Sequence, residues 1–249
     1  MNTGLFIPCF IDQLYPDTAY HMITVLKKAD ELARAHMQFH YNPEQTCCGQ
    51  IAFNGGFWDE AKHLGKKFIK DFVHYDYVVG PSASCIGMVK NYYPQMFYNS
   101  ALHNENNYLS KKIFEFTDFL ITVMKTDDFG AQFEAKITFH DACAAVREYG
   151  LTDQPRRLLA RVKGLELVEM NDSDVCCGFG GTFSVKHQAI STAMAEQKVE
   201  HALDAKAEYI VSTEASCLMH LQGYIDKHEL PLKTIHIADL LAIGLQKVP

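Results

Sequence analysis

Apolar positions along this chain fall into short runs of strand character separated by stretches of helical spacing. Thr3–Ile7 and Lys136–Phe139 read as strands, and each runs into a cysteine. Helical periodicity follows in Thr18–Ala33 and Pro155–Val162, and returns in Trp58–Val73 and Ala189–Leu203. Buried strands then appear at Tyr75–Val79 and Tyr209–Val211, each leading to another cysteine, with a further helix expected from Met88 and from Leu218. Strands alternating with helices of this length predict an α/β fold with largely parallel sheets flanked by helices. Met124–Ala135, with Asp127-Asp128-Phe129-Gly130 at its centre, reads as the connection between two halves, 1–124 and 136–249.

The halves are copies. The eight cysteines run as a single, a vicinal pair and a single, twice over: Cys9, Cys47, Cys48 and Cys85, then Cys143, Cys176, Cys177 and Cys217. Cys47-Cys48-Gly49 matches Cys176-Cys177-Gly178. Tyr77-Val78-Val79 through Ala83-Ser84-Cys85 matches Tyr209-Ile210-Val211 through Ala215-Ser216-Cys217, 132 positions later throughout. Similarity at a fixed offset is the mark of an internal repeat. It assigns four cysteines to each half. Cys9, Cys85, Cys143 and Cys217 all follow predicted strands, and parallel sheets gather ligands beyond the carboxyl ends of their strands.

Composition narrows the chemistry. Across 249 residues the formal net charge is −7, with the basic residues scattered in isolated pairs, which argues against a nucleic-acid partner. No run of about 18 apolar residues exists to cross a membrane, and Met1–Phe10 lacks the basic start and long apolar core of an export signal. The expected compartment is the cytoplasm, where thiols stay reduced and clustered cysteines are ligands before they are disulfides. Adjacent Cα atoms lie about 3.8 Å apart, below the usual disulfide range of about 4.4–6.8 Å. Cys47–Cys48 and Cys176–Cys177 are therefore poor disulfide pairs and suit a centre in which neighbouring metals each take one sulfur. Four thiolates fit a [4Fe–4S] or [2Fe–2S] cluster. A tetrahedral zinc site is the competitor, although the chain contains no Cys-x-x-Cys spacing of the kind zinc modules use. Gly49 and Gly178 allow sharp turns that aim amide N–H groups at anionic sulfur. His140 is either a hydrogen-bond donor or proton carrier beside the sulfurs, or an ordinary core histidine.

These residues resemble a known family. Ile7-Pro8-Cys9, Cys47-Cys48-Gly49-Gln50, Gly80–Cys85, Phe139–Cys143, the long run Cys176–Lys186 and Ser216–Met219 are similar to the Cys-Cys-Gly cysteine-rich domain. That domain is duplicated in the cysteine-rich polypeptide of heterodisulfide reductase and in the iron–sulfur subunits of glycolate and anaerobic glycerol-3-phosphate oxidation. The pattern is nearer still to the lactate-utilization iron–sulfur protein A subfamily. The resemblance implies a pseudo-twofold pair of α/β repeats, with the eight cysteines holding one iron–sulfur cluster per repeat, [4Fe–4S] in type. It implies a redox subunit of an NAD-independent L-lactate dehydrogenase complex, working with a ferredoxin-like iron–sulfur subunit and a third small subunit. The heterodisulfide reductase pattern carries a fifth cysteine in each half, where this chain has Ser82 and Glu214. The departure points to an ordinary cubane, or to an iron with an oxygen ligand from Ser82 or Glu214.

Overall fold

The computed structural model describes residues 1–246; positions 247–249 of the second half lie outside the described residues. Two four-stranded parallel sheets carry the fold. The first joins β1 (Asn2–Leu5), β2 (Gln38–Tyr41), β3 (Tyr77–Gly80) and β4 (Ile113–Glu115) in the order β2-β1-β3-β4. The second joins β5 (Gln132–Phe139), β6 (Lys163–Leu167), β7 (Tyr209–Ser212) and β8 (Lys233–His236) in the matching order β6-β5-β7-β8. All ladders are parallel, so each strand is followed by a crossover that returns the chain to the same end of the sheet. The order reverses between β1 and β3 and between β5 and β7, and ligands bind at such reversals in open α/β sheets.

Strand alternation sends successive side chains to opposite faces, and this builds the cores. Leu5 and Val79 point into one apolar core together with Ile137, Phe139 and Val211 of the second sheet. Phe6 and Val78 point the other way, into a core built mostly from the first half, as Ile210 does into one built mostly from the second. The shared core also holds Met22, Val25 and Leu26 of the helix Pro16–Ala33, and Leu240 and Leu241 of the helix Ile237–Gln246. Thr18 Oγ1 donates to Asp239 at 2.9 Å, and His21 Nδ1 lies 2.9 Å from the same carboxylate. The two halves are thus bound by a continuous apolar interior. No helix among the described residues is long and apolar enough to cross a membrane.

Three local expectations change. β5 starts at Gln132, inside the stretch read as a connection, because Gln132, Phe133 and Ala135 still pair or pack beside β6 and the shared core. The helices after the last strands begin at Ala83 and Ala215, ahead of Met88 and Leu218. Ser82 sets the first of these starts, since its hydroxyl accepts from the amide of Cys85. Cys85 and Cys217 therefore occupy first helical turns. The run Pro155–Val162 contributes only a short helix, Gln154–Leu159, which the chain leaves to enter β6.

Candidate metal centres

Each half assembles its four cysteines from three places. Cys9 and Cys143 begin the short helical segments that follow β1 and β5, the vicinal pairs sit in loops, and Cys85 and Cys217 lie on the helices that leave β3 and β7. The sulfurs form a chain of contacts. Cys9 Sγ lies 3.7 Å from Cys47 Sγ; Cys47 contacts Cys48, and Cys48 contacts Cys85. The second set runs likewise from Cys143 through Cys176 and Cys177 to Cys217. The structure brings all eight together as two fours.

The loops hold these sulfurs through two glycines. Gly49 and Gly178 have φ of +85° and +94°, a region that only glycine enters freely. Their amides point at the sulfur two residues back, Gly49 N at 3.3 Å from Cys47 and Gly178 N at 3.4 Å from Cys176. Further amides, of Phe10, Ala144 and Phe179, serve Cys9, Cys143 and Cys177. Donors on anionic sulfur stabilise thiolate and help set the potential of an iron–sulfur centre.

The protons are shared unevenly. Hydrogen bonds from Cys48 and Cys9 hold the Cys47 thiol well below its usual range; those from Cys143 and Cys177 do the same for Cys176. Cys9 and Cys143, the donors to these thiolates, are pushed up in turn. Cys217 is lowered to about 5, first by the Cys177 thiol, with His140 adding to the effect against burial. Each half therefore supplies thiolates at neutral pH, the ligand form that metals require.

The donor set fits a multinuclear centre. A single tetrahedral zinc ion draws its sulfurs into a compact cage. Among the described residues, only His140, Cys177 and Cys217 bring three ligand atoms within 4.8 Å of one another. The other sulfurs follow one another in a line of contacts.

Both sets open on one cavity of about 470 Å³ between the halves, lined by all eight cysteines. Phe10 and Phe179 meet across it edge to face at 5.5 Å. At its base the repeat-equivalent residues Ser82 and Glu214 touch: Ser82 Oγ lies 3.2 and 3.3 Å from the two carboxylate oxygens. Glu214 also accepts from the Ser84 amide at 2.6 Å and from the Ser84 hydroxyl at 2.9 Å. The carboxyl group of the second half thereby caps the helix Ala83–Gly87 of the first, while making no side-chain cap on its own helix. Burial pushes the Glu214 carboxyl well above the carboxylate range, and the nearby thiolate charge of Cys85 adds to it. Ser82 and Glu214 are thus engaged with each other and with Ser84.

Behind the sulfurs the halves differ. β1 and β5 share a register against β3 and β7, so Phe6 and His140, the next residues, are equivalent; their amides donate to Val79 and Val211 at 2.9 and 2.8 Å. Gly49 lies against Ala61 and Leu64, and Gly178 against Ser191 and Met194, which makes Phe68 the counterpart of Lys198. All four side chains are buried. Lys198 Nζ donates to the Asp172 carbonyl, and burial lowers its pKa. Asp141, beside His140, pairs in bidentate fashion with Arg156 at 2.8 and 2.7 Å and accepts from Ser173. Lys198 escapes a sequence reading because one buried lysine in a helical stretch carries no motif.

The sequence matches the model of the cysteine-rich domain named CCG over residues 3–90 and again over 137–222. It is 38% identical over 242 residues to lactate utilization protein A of Oceanobacillus iheyensis, covering 97% of this chain and 96% of that one. It is 34% identical over 253 residues to lactate utilization protein A 2 of Bacillus cereus, covering 99% and 100%. Among solved structures, a hypothetical protein from Helicobacter pylori superposes with a TM-score of 0.55 at 8% identity. That match covers all of this chain and 49% of the other, and likens the two in fold alone.

Proposed function

The chain belongs to the cysteine-rich CCG-domain family, in its lactate utilization protein A branch, and on that premise we propose that it is the iron–sulfur electron-transfer subunit of a cytoplasmic L-lactate-oxidising complex. The observation that carries this reading is the convergence of two four-cysteine sets on one cavity, each set served by backbone amides. Cys9, Cys47, Cys48 and Cys85 hold one [4Fe–4S] cluster, and Cys143, Cys176, Cys177 and Cys217 hold the other. Such clusters accept and release single electrons. The chain's own residues do the rest. Thiolates at Cys47, Cys85, Cys176 and Cys217 are ready for ligation, the amides of Gly49 and Gly178 stabilise sulfur charge, and Phe10 with Phe179 narrows solvent access. A ferredoxin-like iron–sulfur subunit and a third small subunit complete the complex that takes lactate to pyruvate.

The shared cavity favours a second reading, in which a thiol, disulfide or hydroxy acid binds between the two sites and reacts there. Metal and acid-labile sulfide analysis of anaerobically purified protein tests the first. The expected result is about eight iron and eight sulfide per chain, four of each for every cubane. Stoichiometric zinc without iron or sulfide overturns it in favour of a zinc scaffold. Deleting the gene in a strain without other lactate dehydrogenases should abolish growth on L-lactate, and unchanged growth removes the pathway assignment.

A further inference from the structure

His140 stands one residue past β5, and its ring is fully buried. Nδ1 lies 3.3 Å from the carbonyl oxygen of Ser173. A carbonyl only accepts, so in the neutral ring this nitrogen carries the proton and Nε2 presents a lone pair. Nε2 is buried and makes no hydrogen bond of ordinary geometry, and the ring lies close enough to Cys217 to interact with its sulfur. A buried nitrogen left without a partner costs stability, which a bound metal would relieve. The ligand atoms of His140, Cys177 and Cys217 lie within 4.8 Å of one another. A ring nitrogen anchored on a backbone carbonyl, which leaves the other nitrogen free beside a cluster of thiol sulfurs, is the arrangement that metal-binding histidines adopt.

We propose that His140 is a fifth ligand residue of the second site, offering Nε2 beside Cys143, Cys176, Cys177 and Cys217. The first site has no counterpart, because Phe6 fills the equivalent position and packs edge to face on Phe68 with ring centroids 4.8 Å apart. The two sites therefore hold chemically different centres, one all-sulfur and one sulfur with nitrogen. With five donors at the second site, either one metal takes two protein ligands or one cysteine stays free. Imidazole in place of thiolate removes a negative charge from the centre and makes it easier to reduce.

This inference rests on the iron–sulfur reading, and its test separates the two. The whole chain is prepared anaerobically with natural-abundance histidine and with ¹⁵N-histidine, reduced with dithionite, and examined by pulsed electron paramagnetic resonance. The expected result is a strong, isotope-sensitive histidine-nitrogen coupling that persists in a Cys47→Ser/Cys48→Ser variant and disappears in His140→Gln. The labelled wild type needs no substitution, so a misfolded variant cannot obscure the answer. In a redox titration, His140→Gln should shift the second site at least tenfold toward the oxidised state, about 59 mV for one electron, and leave the first unmoved. A cluster signal without histidine-nitrogen coupling, or with only the weak coupling of a hydrogen-bonded ring, overturns the assignment while the iron–sulfur reading stands. Absence of iron and sulfide overturns that reading. The ligand assignment is then read from the same label on Co(II)-loaded protein, where loss of the nitrogen coupling overturns it too.

Discussion

Behind the first sulfur set, Phe6 and Phe68 meet edge to face and extend through Phe72 and Tyr93 into an aromatic wall. Behind the second, the same two positions are His140 and Lys198, with the Asp141–Arg156 pair alongside. The backbone frames agree: strand order, register, the left-handed glycine of each Cys-Cys-Gly turn and the helix that carries the last cysteine. Duplication preserved what places the sulfurs and released what surrounds them. An aromatic wall adds little charge, whereas a buried lysine and imidazole favour the more reduced, more negative state of a neighbouring centre. One frame can thus present two sites of different electrostatic character.

The largest effect expected from breaking this comparison is loss of metal from one half at a time. Cys47→Ser/Cys48→Ser and Cys176→Ser/Cys177→Ser should each remove about half of the iron, counting one cluster per repeat. Iron counting with electron paramagnetic resonance then assigns the surviving signal to a half. Loss of all iron from either variant would mean that the halves do not load separately.

The two turn glycines offer a second contrast. A Cβ on Gly178 would meet the Ser191 carbonyl oxygen at 2.6 Å and Met194 Cβ at 2.9 Å, whereas one on Gly49 meets Ala61 O at 3.2 Å. Left-handed strain costs each alanine about 1–2 kcal/mol, and the backbone clash adds on the order of 1–3 kcal/mol at Gly178 alone. Urea unfolding should therefore show Gly178→Ala as the more damaging change. Equal losses would mean that the second turn can relax.

The smallest contrast is in pH dependence. β4 and β8 end on equivalent residues, Glu115 and His236, both buried at the start of the next helix. Glu115 accepts from the amides of Thr117 and Asp118, and His236 Nδ1 accepts from Ala238 at 3.1 Å. Burial raises the Glu115 carboxyl to about 7 and lowers the His236 imidazole. Between about 4.5 and 7 the native state binds more protons at Glu115 than the unfolded chain does, so its contribution to stability falls as pH rises, by up to about 3 kcal/mol. At His236 the unfolded chain binds more protons up to about 6.5, so stability rises with pH until that point. Urea midpoints from pH 4.5 to 8 should then decline less in Glu115→Gln than in the wild type. An unchanged profile would show that Glu115 is ionised in the fold without cost.

Much of the frame was legible in the chain. β1, β3, β5 and β7 are central and apolar, and their runs stand out. Two of the four edge strands do not: Gln38–Tyr41 and Lys163–Leu167 are short and largely exposed, so their alternation carries little hydrophobic signal. Ser82 and Glu214 stand out in sequence as substitutions at one repeated position, which suggests oxygen ligands. Their engagement with each other and with Ser84 is a contact between halves, which no local pattern encodes. His140 is visible as a candidate with two readings, and the burial of its Nε2 without a hydrogen bond of ordinary geometry is seen only in the fold.

The duplication, the division of eight cysteines into two fours and the α/β alternation are all contained in the order of residues, because repeat offsets and strand periodicity are properties of chain neighbours. Two relations emerge only on folding: both sulfur sets face one cavity, and Glu214 caps a helix of the other half. They depend on how two sheets pack on a shared core, and packing joins residues far apart in the chain.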